Sequence, residues 1–287
     1  MATPARDGGG RRDRHPDPLA PLRPGSPGTW SVLALAYATR MGLRGQHFLG
    51  HDERSEEAHP TAYYVWLAVS DDDVVLVDAG IGPARAASIP GLHYAGSPLE
   101  LLARVGVAPG DVGWSVLTHL HYDHTGVVAD LPSATYVVQQ DEWDYWTGPD
   151  AARITRERWL QSAEDLSHLA AADQGGRVRF VAGDEELLPG LGVHLVGGHT
   201  AGMQVVRLRT AAGPVVLASD ASHFYANLAE DRPAPILHCM PAVYGAFDRI
   251  TELAGGAGLI VPGHDPGVLE RHRSVWPQLS GQAVRIA

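Results

Sequence analysis

The chain has 287 residues, 45 % hydrophobic and 19 % charged, enough to bury the core of one large domain or two small ones. Its formal net charge of −11 argues against a nucleic-acid partner, whose phosphates need a basic face. All 22 basic residues are arginine, so there is no P-loop lysine and no lysine for a Schiff base, which excludes pyridoxal phosphate chemistry.

Residues 1–28 are rich in Gly, Pro and Arg and are expected to form a disordered tail, with 29–287 as the folded domain. The Arg11-Arg12 pair lacks the apolar stretch of an export signal. Residues 30–37 then read as a strand, and the glycine- and charge-rich stretch around 42–60 as a loop. Residues 62–69 and 74–77 read as strands joined by the acidic turn 70–73. A short helix is expected over 98–105, and strands over 114–117 and 135–139. From about 141 to 173 the pattern is helical, with Trp143, Tyr145, Trp146 and Trp159 spread through it. Short strand-like segments recur near 177–181, 192–196, 203–209 and 214–219, before a helical stretch at 241–255 and a strand at 259–261. Strand runs in both halves, separated by helices, fit an α+β fold of two packed sheets with helices outside. No apolar run reaches the roughly 18 residues of a membrane span, so no membrane partner is expected. The lone Cys239 reads as a core residue; it excludes an internal disulfide framework and agrees with a cytoplasmic protein.

Residues 118–126 read THLHYDHTG, with three histidines and an aspartate in six consecutive positions. A single histidine is commonly satisfied in a core or on a surface, whereas H-x-H-x-D-H is a metal-site pattern. At a strand end His119 and His121 share a face, because side chains alternate with period two. Where the chain turns into a loop or helix start, Asp123 and His124 face a second position nearby. Two residue pairs side by side suit a pair of metal ions. Imidazole with carboxylate suits two Zn²⁺, with Fe, Mn or Co compatible with the same ligands. One segment cannot complete two coordination spheres. Three further candidates each follow an apolar run and a small-residue turn: His199 in VGGHTAG, Asp220 in VVLASDAS and His264 in LIVPGHDP. His47, His51, His59, His93, His168, His194, His238 and His272 lack such a context and are read as structural, while His15 lies in the tail.

Taken together, HxHxDH, a later GHT, a later Asp after a strand and a final GH resemble the metallo-β-lactamase superfamily over about residues 30–270. The resemblance implies a four-layer αββα sandwich with the site at one edge of the two sheets. It implies that His119, His121 and His199 hold one metal and Asp123, His124 and His264 the other, with Asp220 bridging both. Asp78, in LVDAG, matches a position that supports such a site from behind its ligands.

A metal pair lowers the pKa of a bridging water and yields a hydroxide nucleophile, so hydrolysis of an ester, lactone, thioester or amide is expected. Redox use of the ligands would need iron and a domain that feeds electrons, and none is visible. Superfamily members that open penicillins commonly hold the drug's carboxylate with lysine, which this chain lacks, although arginine serves the same purpose. Glyoxalase-II-type thioesterases share HxHxDH and GHTxG but carry a C-terminal helical region, and only 23 residues follow His264 here. The segment ASDASHFYANL, with THLHYDHTG, GGHTAGMQVVRL and IVPGHDP, resembles the N-acyl-homoserine lactone lactonase family of quorum-quenching hydrolases. Such a substrate is a neutral small molecule, which agrees with a site lacking obvious cationic anchors. Many members have Asp-Ala-Ser-Tyr where this chain has Asp220-Ala221-Ser222-His223, the tyrosine hydroxyl donating to the substrate. The donor here is then His223, or Tyr225 if the backbone turns. The resemblance implies attack of the bridging hydroxide on the lactone carbonyl, with His223 donating to the oxyanion and Asp123 or Asp220 handling the proton. The alternative is a hydrolase of another lactone, ester or thioester in secondary metabolism. The aromatic residues of 143–160 either line a pocket for an acyl chain or simply pack a helix. Oligomeric state is left open, a homodimer among the arrangements allowed.

Overall fold

A computed structural model describes residues 19–256 and 258–287. Residues 1–18 of the expected tail therefore lie outside the described residues. The strands of the first half are β1 (Ser31–Leu43), β2 (Ala58–Val69), β3 (Val74–Val77), β4 (Leu92–Tyr94), β5 (Trp114–Val116), β6 (Thr135–Gln139) and β7 (Val178–Val181). Those of the second are β8 (Glu185–Leu188), β9 (Leu191–Leu195), β10 (Gln204–Thr210), β11 (Gly213–Ser219), β12 (Leu259–Pro262) and β13 (Ala283–Arg285). They form two sheets. One has the order β13-β1-β2-β3-β5-β6-β7, with β4 also on β1, and the other the order β12-β11-β10-β9-β8.

Why the sheets stack is written into β1. Its residues alternate between two apolar faces, Val32, Ala34 and Ala36 toward the second sheet and Leu33, Leu35 and Tyr37 the other way. A strand covered on both faces needs a nearly continuous apolar run, and SVLALAYA supplies it. On β11, Val215 and Leu217 face the first sheet, whereas Val216 and Ala218 face a helix. Helices close the outer sides. Helices α1 (Pro83–Ala86) and α2 (Pro98–Arg104) lie on the first sheet's side, followed in the chain by α3 (Tyr122–Thr125), α4 (Gln140–Thr147) and α5 (Ala163–Gln174). Leu101, Leu102, Trp146 and Leu169 bring α2, α4 and α5 into one cluster with the first sheet. After α6 (Tyr225–Ala229) comes α7 (Met240–Ala254), whose Ala246, Ile250 and Ala254 cover the second sheet; α8 (Gly267–Arg271) follows β12. The result is the expected αββα order of layers.

Three expectations change. Residues 19–28 are packed: Leu19 and Leu22 are buried in the core cluster, and Arg23 donates to the carbonyls of Ser70 (2.9 Å) and Asp71 (2.6 Å). Apolar anchors inside a Pro-rich stretch outweigh its composition. The loop around 42–60 is shorter than its composition suggests, because β1 and β2 pair from Ser31↔Val69 out to Leu43↔Ala58, with a bulge between Ala36 and Ala38. Backbone pairing is indifferent to the polar side chains there. The helical stretch of 141–173 is broken after Thr147, where Pro149 lacks an N–H and pushes Gly148 out of the helical region (ψ −177°).

Ile250 is fully buried between α7 and the second sheet. Ile250→Ala should cost about 2–5 kcal/mol in urea denaturation; a loss under about 1 kcal/mol would mean that α7 is not a structural layer.

Candidate metal centre

The C-terminal ends of several strands meet at one edge of the sandwich. Strands β3 and β5 run parallel in the first sheet, as do β11 and β12 in the second. Strand β9 also runs with β11, because both are antiparallel to β10 between them. Asp78 follows β3, His119 to His124 follow β5, His199 follows β9, Asp220 follows β11 and His264 follows β12. His121 is the N-cap of α3, which carries Asp123 and His124 round to a second position.

The structure brings all seven residues assigned to metal by the resemblance to one point. One ring nitrogen each of His119, His121 and His199 lie within 4.8 Å of one another. The same holds for His119, His124 and Asp220, and for Asp123, His124 and His264. Asp220 stands between the two groups. Its Oδ2 is 3.5 Å from His199 Nε2 and 3.9 Å from His119 Nε2, while Oδ1 is 3.1 Å from His264 Nε2 and 3.5 Å from His124 Nε2.

The inward atoms are fixed by what holds the rings from behind. Asp78 is fully buried; its carboxylate accepts from Thr118 N (2.8 Å), Thr118 Oγ1 (3.0 Å) and Ser219 Oγ (3.0 Å), and its Oδ2 meets His124 Nδ1 at 2.8 Å. Thr118 Oγ1 contacts His119 Nδ1 (3.1 Å), and the Nδ1 atoms of His199 and His264 lie 2.9 Å from the Ile236 and Ala62 carbonyls. His119, His124, His199 and His264 therefore all turn Nε2 inward, whereas His121 turns Nδ1, 3.2 Å from His199 Nε2. Asp78 (φ 61°) and Ser219 (φ 45°) occupy the left-handed region, at about 1–3 kcal/mol each. Two glycines let the loops approach. A Cβ on Gly126 would fall 2.0 Å from Gly82 N, and one on Gly263 would fall 2.6 Å from Asp220 Oδ1.

Three inward atoms, His119 Nε2, His124 Nε2 and Asp220 Oδ1, are buried without a hydrogen-bond partner. Leaving such atoms unmade costs about 1–3 kcal/mol each, and a cation among them satisfies all three. Burial holds His119, His121 and His199 below the usual imidazole range, His199 down to about 3, which favours the neutral form that metals bind. Burial also disfavours charge on His124, but Asp78, Asp220 and Asp123 outweigh it and raise its pKa. At Asp220 burial is likewise outweighed, here by His264, His223 and His124, and its carboxyl lies well below the ordinary range. The donor set fits divalent metal ions.

Two adjoining cavities open on this centre. One, of about 280 Å³, lies on the His121 and His199 side and is walled by Tyr145, Trp146 and Leu160. The aromatic stretch of 143–160 thus divides: Trp146 lines the cavity, while Trp143 packs against Phe180 at 5.4 Å. The second, of about 260 Å³, lies on the Asp123 and His264 side. His223 faces the centre, its Nε2 3.2 Å from Asp220 Oδ2 and its ring stacked on His264 at 5.4 Å. Tyr225, the other candidate donor, instead lies beneath the Arg271 guanidinium, 3.7 Å from its ring centre, with its N–H on Asp265 Oδ2.

Sequence reasoning missed Glu142, fully buried on α4. Its Oε1 accepts from Leu120 N (3.0 Å) and Trp146 Nε1 (3.0 Å), and its Oε2 from Gly202 N (2.9 Å), so one carboxylate ties the HxHxDH and GHTAG loops together. The signal available was a lone acid amid aromatics. His47 and His238, read as structural, line the cavities, His47 the one on the Asp123 and His264 side and His238 the one on the His121 and His199 side.

The metallo-beta-lactamase superfamily model matches residues 59–264, which include every residue of the centre. The chain belongs to that superfamily. It is a hydrolase suited to divalent metal ions, as the resemblance implied. Among similar proteins is an N-acyl homoserine lactonase of Bacillus thuringiensis, 27 % identical over 186 residues, or 59 % of this chain and 68 % of that protein. The N-acyl homoserine lactonase AttM of Agrobacterium fabrum is 40 % identical over 52 residues, 18 % of this chain and 20 % of its own. Among solved structures, a quorum-quenching N-acyl homoserine lactone lactonase superposes with a TM-score of 0.71 at 21 % identity, covering 87 % of this chain and 98 % of that one. The hydrolase AbOPH superposes at 0.70 with 24 % identity, covering 84 % and 89 %. These likenesses show the same αββα sandwich. Among the described residues, no helix is long and apolar enough to cross a membrane.

Glu142→Gln keeps the shape but sets an NH₂ group against the N–H donors. It should lower stability by about 1–3 kcal/mol in urea denaturation and reduce bound metal on dialysis. An unchanged midpoint with full metal content would show that the carboxylate does not hold the two loops.

Proposed function

We propose that this enzyme is a dinuclear lactonase that opens the ring of N-acyl-homoserine lactones, a quorum-quenching reaction. The observation that carries the reading is the position of Asp220, one carboxylate oxygen toward His119 and His199 and the other toward His124 and His264. The names of the similar proteins support the substrate class.

In this reading His119, His121 and His199 would hold one ion and Asp123, His124 and His264 the other, with Asp220 shared between them; the donors would suit Zn²⁺, and likewise Fe, Mn or Co. When bound, such a pair supplies a water of lowered pKa and polarises the carbonyl oxygen. The lactone carbonyl lies over the centre, with the acyl chain toward Tyr145, Trp146 and Leu160. His223 turns its Nε2–H from Asp220 to the carbonyl oxygen as negative charge develops there. Asp220 Oδ2 or Asp123 takes the proton released by the attacking water and returns it to the ring oxygen as the acyl–oxygen bond breaks. Water is thereby added across that bond, and the product is the acyl-homoserine. The single cysteine, Cys239, supports a cytoplasmic location. His223, where many such lactonases carry tyrosine, favours a second reading, hydrolysis of another lactone, ester or thioester in secondary metabolism.

Metal-loaded protein should convert N-hexanoyl-homoserine lactone to N-hexanoyl-homoserine, measured by chromatography, with about two ions per chain by elemental analysis. His121→Ala and Asp220→Asn should each lower kcat/KM by more than about 100-fold, and His223→Phe should lower kcat more than it alters KM. Unchanged turnover in the first two variants would sink the scheme. Trp146→Ala should shift the preferred acyl-chain length in a series of lactones; a change in melting temperature alone would return Trp146 to helix packing.

A further inference from the structure

The cavity on the Asp123 and His264 side contains donors that the metal centre does not use. Arg40 stands near the outer end of β1, paired in register with Thr61 of β2, and both line this cavity. Its guanidinium faces the Tyr63 hydroxyl. The Tyr63 ring in turn packs edge-on against His264, with centroids 5.0 Å apart. A positive charge therefore stands about one tyrosine ring from the centre. Gln46, also on the wall, accepts from Leu43 N through Oε1 (3.0 Å), which leaves its NH₂ group to the cavity.

Among the described residues Arg40 is in no ion pair with an acid, in contrast to Arg44 and Arg232. Among the described residues, the aspartates and glutamates in ion pairs with arginine belong to Arg44, Arg54, Arg153, Arg179, Arg232 and Arg249. Arg44, only four positions on, is buried against Asp52 (2.7 Å) and Glu230 (2.5 Å), and Arg232 shares the same Asp52 (2.6 Å). That knot fastens the loop bearing Gln46 and His47 to the segment 230–236, whose Ala234 and Ile236 form the opposite wall. The backbone carrying Gln46 is thereby fixed before any ligand arrives, while the Arg40 and Gln46 side chains are themselves exposed.

A guanidinium fork, an amide NH₂ and a phenol O–H offer hydrogens, and the acids in this cavity, Asp123 and Asp220, belong to the metal set. The complement of such donors is a planar anion, and the guanidinium fork matches a carboxylate with two parallel bonds. We propose that Arg40, Gln46 and Tyr63 form a carboxylate subsite, so that the preferred substrates are lactones or esters bearing a carboxylate near the scissile bond. The inference rests on the hydrolase reading of the centre and goes beyond acyl-homoserine lactones, which are uncharged and leave Arg40 without a partner.

The test compares γ-butyrolactone substituted at its γ-carbon with a carboxylate against the isosteric carboxamide, using metal-loaded full-length protein. The wild type should favour the carboxylate in kcat/KM by about tenfold or more. Arg40→Gln should bring the ratio near one, chiefly through KM, and Arg40→Lys should restore part of it. Arg249→Gln, on the outer helix α7, should leave it unchanged. A ratio near one in the wild type, or one that survives Arg40→Gln, overturns the subsite while the hydrolase stands. Calorimetry with the ring-opened hydroxy diacid separates the other failure. If neither lactone turns over but the diacid binds more weakly to Arg40→Gln, the subsite stands and the hydrolase reading falls. Equal binding to both proteins overturns the subsite.

Discussion

The Asp78 carboxylate is the fastening on which the rest of the centre depends. It is fully buried at the end of β3, and its partners come from two other strand ends: Thr118 and His124 after β5, and Ser219 on β11 of the other sheet. Elsewhere the sheets are joined by apolar side chains, which tolerate some sliding. At the functional edge they are joined by hydrogen bonds, which have direction. A charged group so deep is costly unless fully paired. Four contacts within 3.0 Å pair it, and they dictate where His119 and His124 point. The left-handed backbone at Asp78 and Ser219 belongs to the same arrangement, since local strain is held in place by these bonds.

From that fastening outward, the centre is organised as pairs of opposed demands. Imidazoles crowd to 3.2 Å between His121 and His199, and the Asp220 carboxylate sits among five of their kind. Without a cation, His119 Nε2, His124 Nε2 and Asp220 Oδ1 stay buried and unpaired. Binding energy from a metal is therefore folding energy for these loops. Glu142 extends the principle: its carboxylate is spent on backbone N–H groups of two loops, so it positions histidines without touching them.

Much of this was readable in the chain itself, for a physical reason. His119, His121, Asp123 and His124 are contiguous, and His199, Asp220 and His264 each follow an apolar strand and a tight turn, so local pattern locates them. Continuous apolar runs in 62–69, 74–77 and 214–219 likewise announce sheets buried on both faces. What could not be read was anything defined by distance across the fold. Glu142 finds its partners 22 and 60 residues away, and Arg40 and His47 reach the centre only because β1 and β2 extend beyond the composition-based loop. Arg40 lines the cavity, and nothing in its neighbours along the chain marks it. The packed residues 19–28 are a similar case, since Leu19 and Leu22 are anchors only once a sheet exists to receive them.

The hairpin formed by β1 and β2 has a further consequence. None of the seven metal-type residues lies on it, yet it supplies Arg40, Gln46, Thr61 and Tyr63 to the cavity wall. It touches the centre through Ala62, whose carbonyl meets His264 Nδ1 and whose N–H donates to the His264 carbonyl at 3.0 Å, through the Tyr63 ring on His264, and through the Tyr37 hydroxyl, which donates to the Asp123 carbonyl at 3.2 Å. The seven metal-type residues all lie between 119 and 264, outside the hairpin of residues 31–69. Part of the cavity wall and the seven metal-type residues are thereby carried by separate segments of the chain, joined at a few named contacts.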